Sequence, residues 1–276
     1  MGSENGPLLK RHRLAHYLAY LLFFLACTIV GTGVIKLHTN KKVHTPEKAQ
    51  APKKLKKSEE VKAPEKEELY NYKKSYLKKH FGCAEKFKED LPVHSKETWK
   101  KYRDTYVSVV GEAESTIGDP EADFDGFGDI SHFAKQSPGK GRGIFAGQDI
   151  AQDTLMWNGS RSAQFKDAHS FQKFLFDLED DYLACDPLQW SYIFDLNKGK
   201  GKPDLRIVTD LDEGSFCNNG KSAGNMGYLD VSFEKERPRQ NGIRPLFATR
   251  DIRKGEEILC RYGEFIADYG WSAFGM

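Results

Sequence analysis

Glycine-rich turns and paired carboxylates are the features of this 276-residue chain that could hold a phosphate, a metal or a cofactor. Gly139-x-Gly141-x-Gly143 has the spacing that opens a dinucleotide fold. That use requires a strand before the glycines and a helix opening at them, whereas Gly143 to Ala146 is strand-forming. Gly214 to Ser222 ends in Gly220-Lys221-Ser222 as phosphate loops do, but five residues separate its glycines where four are required. Glu121-x-Asp123-x-Asp125-Gly126 begins like a calcium loop, yet His132 holds the twelfth position, where a bidentate glutamate is needed. Asp123-Phe124-Asp125 and Asp210-Leu211-Asp212 are D-x-D pairs. Behind an apolar N-terminal segment they suggest a luminal type II glycosyltransferase as the rival class. No cysteine pair has C-x-x-C spacing, so no metal is expected.

Taken with two distant stretches, the first glycine run acquires another meaning. Gly139-Lys140-Gly141-Arg142-Gly143-Ile144-Phe145-Ala146 is followed far downstream by Phe216-Cys217-Asn218-Asn219. Then comes Gly255-Glu256-Glu257-Ile258-Leu259-Cys260-Arg261-Tyr262-Gly263. In this order residues 128–266 resemble a SET domain, the protein-lysine methyltransferase fold, with its K-G-x-G-[IV]-x-A, N-H-S-C-x-x-N and G-E-E-[LI]-x-x-x-Y-G motifs. The resemblance implies S-adenosyl-L-methionine as cofactor and lysine side chains of a protein as substrate. It gives the cofactor to Lys140, Gly141, Arg142 and Gly143, whose glycines allow close backbone approach, and to Asn218 and Asn219. Asn219 stands where the family has His, Gly220 where it has Ser and Lys221 where it has Cys. A later Asn falls at Asn225 after an altered spacer. Tyr262 takes the place of the family's catalytic tyrosine, whose hydroxyl orients the amine. Trp157, in Met156-Trp157-Asn158-Gly159, and Trp271 are expected to line the substrate channel. The altered middle motif keeps a second reading open, a SET-like binding module without catalysis.

The elements that must position these residues follow from periodicity and composition. The fold class is α+β, mostly β. Strand-forming runs cover Gly143 to Ala146, Thr154 to Trp157, Leu205 to Thr209, Pro245 to Thr249 and Ile258 to Tyr262. One inserted helix is expected from Phe171, Phe174, Leu175, Leu178 and Tyr182. Upstream, residues 68–127 form a helical and acidic connecting region, with helices over 66–90 and 95–110 and a loop over 111–129. An aromatic tail, 267–276, follows the domain.

Tyr17 to Ile35 is uncharged over 19 positions, so residues 14–37 are expected to span a membrane and meet its lipid, after a tail at 1–13. A cleaved signal peptide is the competing reading. Residues 38–67, rich in Lys, Glu, Pro and Ala, cannot bury enough surface to fold and read as a disordered tether. Residues 36–106 hold 20 Lys/Arg against 11 Asp/Glu, net +9, and residues 107–276 hold 19 against 28, net −9. The acidic half suits a basic protein or peptide, and no direct nucleic-acid contact is expected. More basic residues lie after the apolar run than before it, which places the domain in the cytosol. The cysteines Cys27, Cys83, Cys185, Cys217 and Cys260, odd in number and scattered, read as reduced thiols.

Overall fold

The computed structural model describes residues 70–122, 124–197, 201–229, 241–267 and 270–276. The expected tail, membrane helix and tether lie outside the described residues. Among the described residues no helix is long and apolar enough to cross a membrane.

The helical region expected over 66–90 divides into α1 (Lys74–His80) and α2 (Cys83–Lys86). Gly82 separates them at φ 66, a left-handed conformation that suits glycine. α3 (Lys96–Val110) starts at Ser95, whose hydroxyl accepts from the Thr98 amide. Its residues Trp99, Tyr102 and Tyr106 recur at helical spacing and are buried. The Tyr102 hydroxyl donates to the Leu183 carbonyl at 2.8 Å and that of Tyr106 to the Gln164 carbonyl at 3.2 Å. These helices therefore contribute to the core, and the described residues belong to one compact unit.

The strands form two sheets. In the larger, β1 (His132–Ser137) and β2 (Gly141–Ala146) make a hairpin, and β2 pairs antiparallel with β10 (Glu257–Cys260). β10 pairs in parallel with β7 (Asn218–Asn219) and β8 (Met226–Gly227). The sheet continues through β9 (Leu246–Ala248) to β3 (Leu155–Trp157). The smaller sheet has the order β4 (Ser162–Phe165), β6 (Leu205–Asp210), β5 (Tyr192–Asp195). β10 thus joins the three stretches singled out in the sequence: the glycine turn on one side, the Asn-Asn pair on the other, and its own Tyr262 at the end.

Two expectations are corrected. The single inserted helix is two, α4 (Ala168–Asp177) and α5 (Asp181–Trp190). Phe171, Phe174, Leu175 and Leu178 are all buried, so their spacing was a core signal. A local cap decided the break: Asp180 accepts from the Tyr182 and Leu183 amides, and Glu179 adopts φ 51. The second correction concerns the thiols. Cys83 bonds to Cys185, joining α2 to α5, and Cys217 bonds to Cys260, joining the start of β7 to β10. Separations of 102 and 43 residues hid both pairs from spacing arguments. Cys27 lies outside the described residues.

Candidate functional site

The hairpin turn between β1 and β2 is the wall of an open cleft of about 740 Å³. Gly139 and Gly141 take φ 73 and 76, and the Lys140 amide donates back to the Ser137 carbonyl at 3.0 Å. Residues 136–142, Asn218, Phe216 and Tyr262 border this cleft. Asn218 ties the turn to the sheet, its Nδ2 donating to the Arg142 carbonyl at 3.0 Å and to Glu257 Oε1 at 2.9 Å. Lys140 Nζ reaches Glu257 Oε2 at 2.8 Å. Burial pushes the Glu257 carboxyl up, but hydrogen bonds from Lys140, Asn218 and Ser137 outweigh it and hold the group below the usual carboxylate range. Gly143 is needed for space. A Cβ there would lie 2.7 Å from Glu257 Oε1 and 3.0 Å from Asn218 Nδ2, and its φ is not positive. It does not border the cleft; it lets Asn218 and Glu257 close behind the turn.

Arg142 and Asn219 depart from expectation. The Arg142 side chain points inward, where its Nη1 and Nη2 donate to Asp186 at 3.0 and 2.6 Å. His94 Nε2 lies 2.7 Å from the same carboxylate, and all three residues are buried. Burial pushes the Asp186 carboxyl up, but the hydrogen bonds from His94 and Arg142 and their charges hold it below the usual range. The side chain thus clamps the hairpin to α5. Asn219 is exposed, and its Oδ1 accepts from the Lys221 amide at 2.9 Å, so it shapes a turn outside the cleft. Asn225 does structural work that the altered motif concealed. Fully buried, it accepts from the Leu259 amide at 2.7 Å and donates to the Glu257 carbonyl at 2.9 Å, fixing β10.

A second, narrow cavity of about 50 Å³ lies beside the cleft. The two share Trp190, Tyr192, Ser215, Tyr262 and Ile266. Trp157 lines the narrow cavity, as do Tyr228, Phe265 and Asp210. Trp271 does not line it; its ring centroid lies 3.7 Å from Lys74 Nζ and 6.0 Å from the Phe171 ring. Proximity to Tyr262 in sequence did not carry it into the channel, because residues 270–273 turn as a short helix against β5. The Tyr262 hydroxyl sits at the junction and donates to the Cys217 carbonyl at 2.7 Å. Burial, and then the charge of Asp210, push this hydroxyl up to about 12.

Only the first aspartate of the second D-x-D pair belongs to this channel; the second lines a separate cavity with Asp125, His132 and Glu213. Asp212 spends both carboxylate oxygens on backbone, accepting from the Gly126 amide at 2.7 Å and the Gly214 amide at 2.9 Å. Asp210 lines the channel. Asp123 lies outside the described residues. Among the described residues no group of three His, Cys, Asp or Glu side chains is placed to hold a metal ion.

Comparison with known proteins bears on the segment that supplies most of the channel lining. Residues 141–263 match the SET domain family. No curated protein matches the chain. Similar solved structures include a humanized mutant of the Chaetomium thermophilum Polycomb Repressive Complex 2 bound to an inhibitor, at 16% identity and a TM-score of 0.32 over 52% of this chain. The chain spans 16% of the length of that one. A Plasmodium falciparum protein assigned as a histone methyltransferase is similar at 15% identity and a TM-score of 0.30, with 49% of this chain and 95% of that one covered. A third is ctPRC2 in an autoinhibited conformation bound to S-adenosylmethionine, at 17% identity and a TM-score of 0.32, with 52% and 16% covered. S-adenosylmethionine is the methyl donor of SET-domain methyltransferases.

Proposed function

We propose that this protein is a protein-lysine N-methyltransferase that uses S-adenosylmethionine. The observation that carries the reading is the junction at Tyr262, where an open cleft walled by the glycine turn meets a narrow aromatic channel. The cleft fits the cofactor on its own terms. It is bordered by residues 136–142 and open above Gly139 and Gly141, where an added Cβ would meet nothing within 4 Å. Lys140, Gly141, the Arg142 main chain and Asn218 would hold the group, and its sulfonium would supply the methyl.

The protein's part is positioning and desolvation. The channel is small, and its aromatic walls suit the apolar stem of lysine and the cationic head it carries in water. Burial between Trp157, Tyr228 and Phe265 favours the neutral amine over the ammonium, and only the neutral amine has the lone pair that attacks. Tyr262 orients that amine, held by its own bond to the Cys217 carbonyl. Isothermal titration of the wild-type chain with S-adenosylmethionine tests the reading. Heat of binding in the micromolar range is expected, and a folded protein silent at millimolar cofactor would leave the binding-module reading in its place. The glycosyltransferase alternative finds no support, since Asp210 and Asp212 are both buried and line different cavities.

Single-pass anchoring through residues 14–37 and a basic substrate remain parts of the proposal. The two cysteine pairs favour placing the domain on the oxidising side of the membrane, since disulfides persist there and not in the cytosol. They weigh against the cytosolic placement drawn from flanking charge, because both flanks of the apolar run are basic. A glycan on Asn158, in Asn158-Gly159-Ser160, would fix the oxidising side. Free thiols at all four described cysteines in protein alkylated inside cells would restore the cytosolic placement.

A further inference from the structure

Asp210 ends β6, and about nine-tenths of its surface is buried in the wall of the narrow channel. One carboxylate oxygen accepts from the Ser162 hydroxyl of β4 at 2.5 Å. Among the described residues no Lys, Arg or His is ion-paired with it. Carboxylates are rarely buried without a cation, because desolvation penalises the charged form. Asp212, two residues on, solves that problem with two backbone amides. Asp210 does not, and it shares its cavity with Tyr262.

We infer that Asp210 receives the substrate amine, pairing with the incoming ammonium and taking one of its protons before methyl transfer. The inference rests on the methyltransferase reading of the channel. In the step, one N–H bond of the ammonium breaks and one O–H bond forms on Asp210. The electron pair stays on nitrogen, and an ion pair becomes a neutral amine beside a neutral acid. A cavity of low polarity favours this exchange, since it removes two charges from a site that solvates neither well. The proton then leaves from Asp210 to solvent through the cleft.

The surroundings suit a base that works near neutrality. Burial, and then the charge of Asp212, push the Asp210 carboxyl up to about 7, while the Ser162 hydrogen bond pulls it back. A base with its midpoint near the working pH combines availability with driving force. The other titratable groups on the cavity are Tyr192 from β5, Tyr228 after β8 and Tyr262 after β10. Burial, followed by the charge of Asp210, pushes Tyr192 well above its ordinary value, so neither it nor Tyr262 competes as a base near pH 7. Arg244 is the cation of the wall, and its guanidinium carbon lies 3.9 Å from the Tyr228 ring centroid.

The test uses the full chain with n-butylamine, the lysine stem and head without a peptide, on wild type, Asp210→Asn, Asp210→Glu and Ser162→Ala. Calorimetry at pH 6 and pH 8 should show tighter amine binding at pH 8, where Asp210 is ionised. Affinity should fall at least about 10-fold in Asp210→Asn and be largely kept in Asp210→Glu, in line with loss of a buried charge pair. Methyl transfer to a basic peptide should level off above about pH 7 in wild type. In Asp210→Asn it should be lower by about 10²-fold and keep rising toward the range where lysine itself ionises. Ser162→Ala should move the wild-type midpoint upward, and this arm decides the matter if Asp210→Asn does not fold. Equal amine affinity in folded Asp210→Asn, or an unmoved midpoint in Ser162→Ala, overturns the inference. Amine binding that depends on Asp210, with no transfer to any basic peptide, instead overturns the methyltransferase reading and leaves Asp210 as the amine acceptor.

Discussion

The cleft and the channel meet at one tyrosine but are built by opposite means. The cleft is made around a turn: two left-handed glycines, one half-buried asparagine holding them, and a glycine that lets Asn218 and Glu257 close behind. The channel is made of side chains from six segments, with Trp157, Trp190, Tyr192, Asp210, Tyr228 and Tyr262 each from a different one. A backbone site depends on few residue identities, and those must be glycine or a main-chain binder such as asparagine. A side-chain site distributes its identity over residues whose types are common in any core. The same contrast gives the altered Asn-Asn motif its meaning. Its first residue contacts the turn and matches the family, and its second is exposed.

If the hairpin is held in place by its clamp, breaking the clamp should be the most costly change. Asp186→Asn leaves Arg142 buried beside a neutral partner and is expected to destabilise the protein by about 3–5 kcal/mol, read by chemical denaturation. Because the folded Asp186 carboxyl is held below its ordinary range, the wild-type contribution is present above that range and lost as pH falls through it. A loss under 1 kcal/mol would make the clamp incidental and the turn self-supporting.

Tyr262→Phe separates the two regions directly. It removes one hydroxyl at the junction and no ring volume. Turnover should fall about 10²-fold while cofactor affinity measured by calorimetry stays within about 2-fold. A matching loss of affinity would mean that the junction belongs to the cleft and that the division drawn above is wrong.

Gly143→Val probes the backbone side. Its Cβ would press on Glu257 and Asn218, and overpacking of this kind costs about 1–3 kcal/mol. Displacing Asn218 releases the turn, so cofactor binding should weaken at least about 10-fold with the channel's amine affinity unchanged. Amine affinity falling in step would show that the two cavities are mechanically one.

A smaller effect distinguishes them by pH. Asp210 and Asp212 are raised to about 7 and about 6, chiefly by burial, so they favour folding fully below about pH 4 and lose that contribution as pH rises through 6 and 7. Melting temperature should therefore decline over this window in wild type and decline less in Asp210→Asn. An identical slope in the two proteins would show that Asp210 is not buried as an acid. The smallest change expected is that of Trp271→Ala, which removes the ring beneath Lys74 at a cost of about 0.5–1 kcal/mol and leaves turnover intact. A drop in turnover would return Trp271 to the channel.

What the chain determined by itself was local. The glycine turn, Asn218 and the tyrosine after β10 stood out because each belongs to a short motif whose residue types have few substitutes; that Asn218 holds the turn did not. The buried stripes of α3 and α4 were legible because helical spacing reports burial directly. Only the tertiary structure decided what required two distant segments to meet. It paired Cys83 with Cys185 and Cys217 with Cys260, turned the Arg142 side chain away from the cleft onto Asp186, and sent Trp271 to Lys74. It also gave two aspartates of one D-x-D pair different fates, since Asp212 met two backbone amides and Asp210 met an open channel. Sequence spacing fixes the direction in which a side chain leaves its own strand or helix, but whether it meets a partner, a solvent-filled cleft or an empty cavity depends on which other strands the sheet brings alongside.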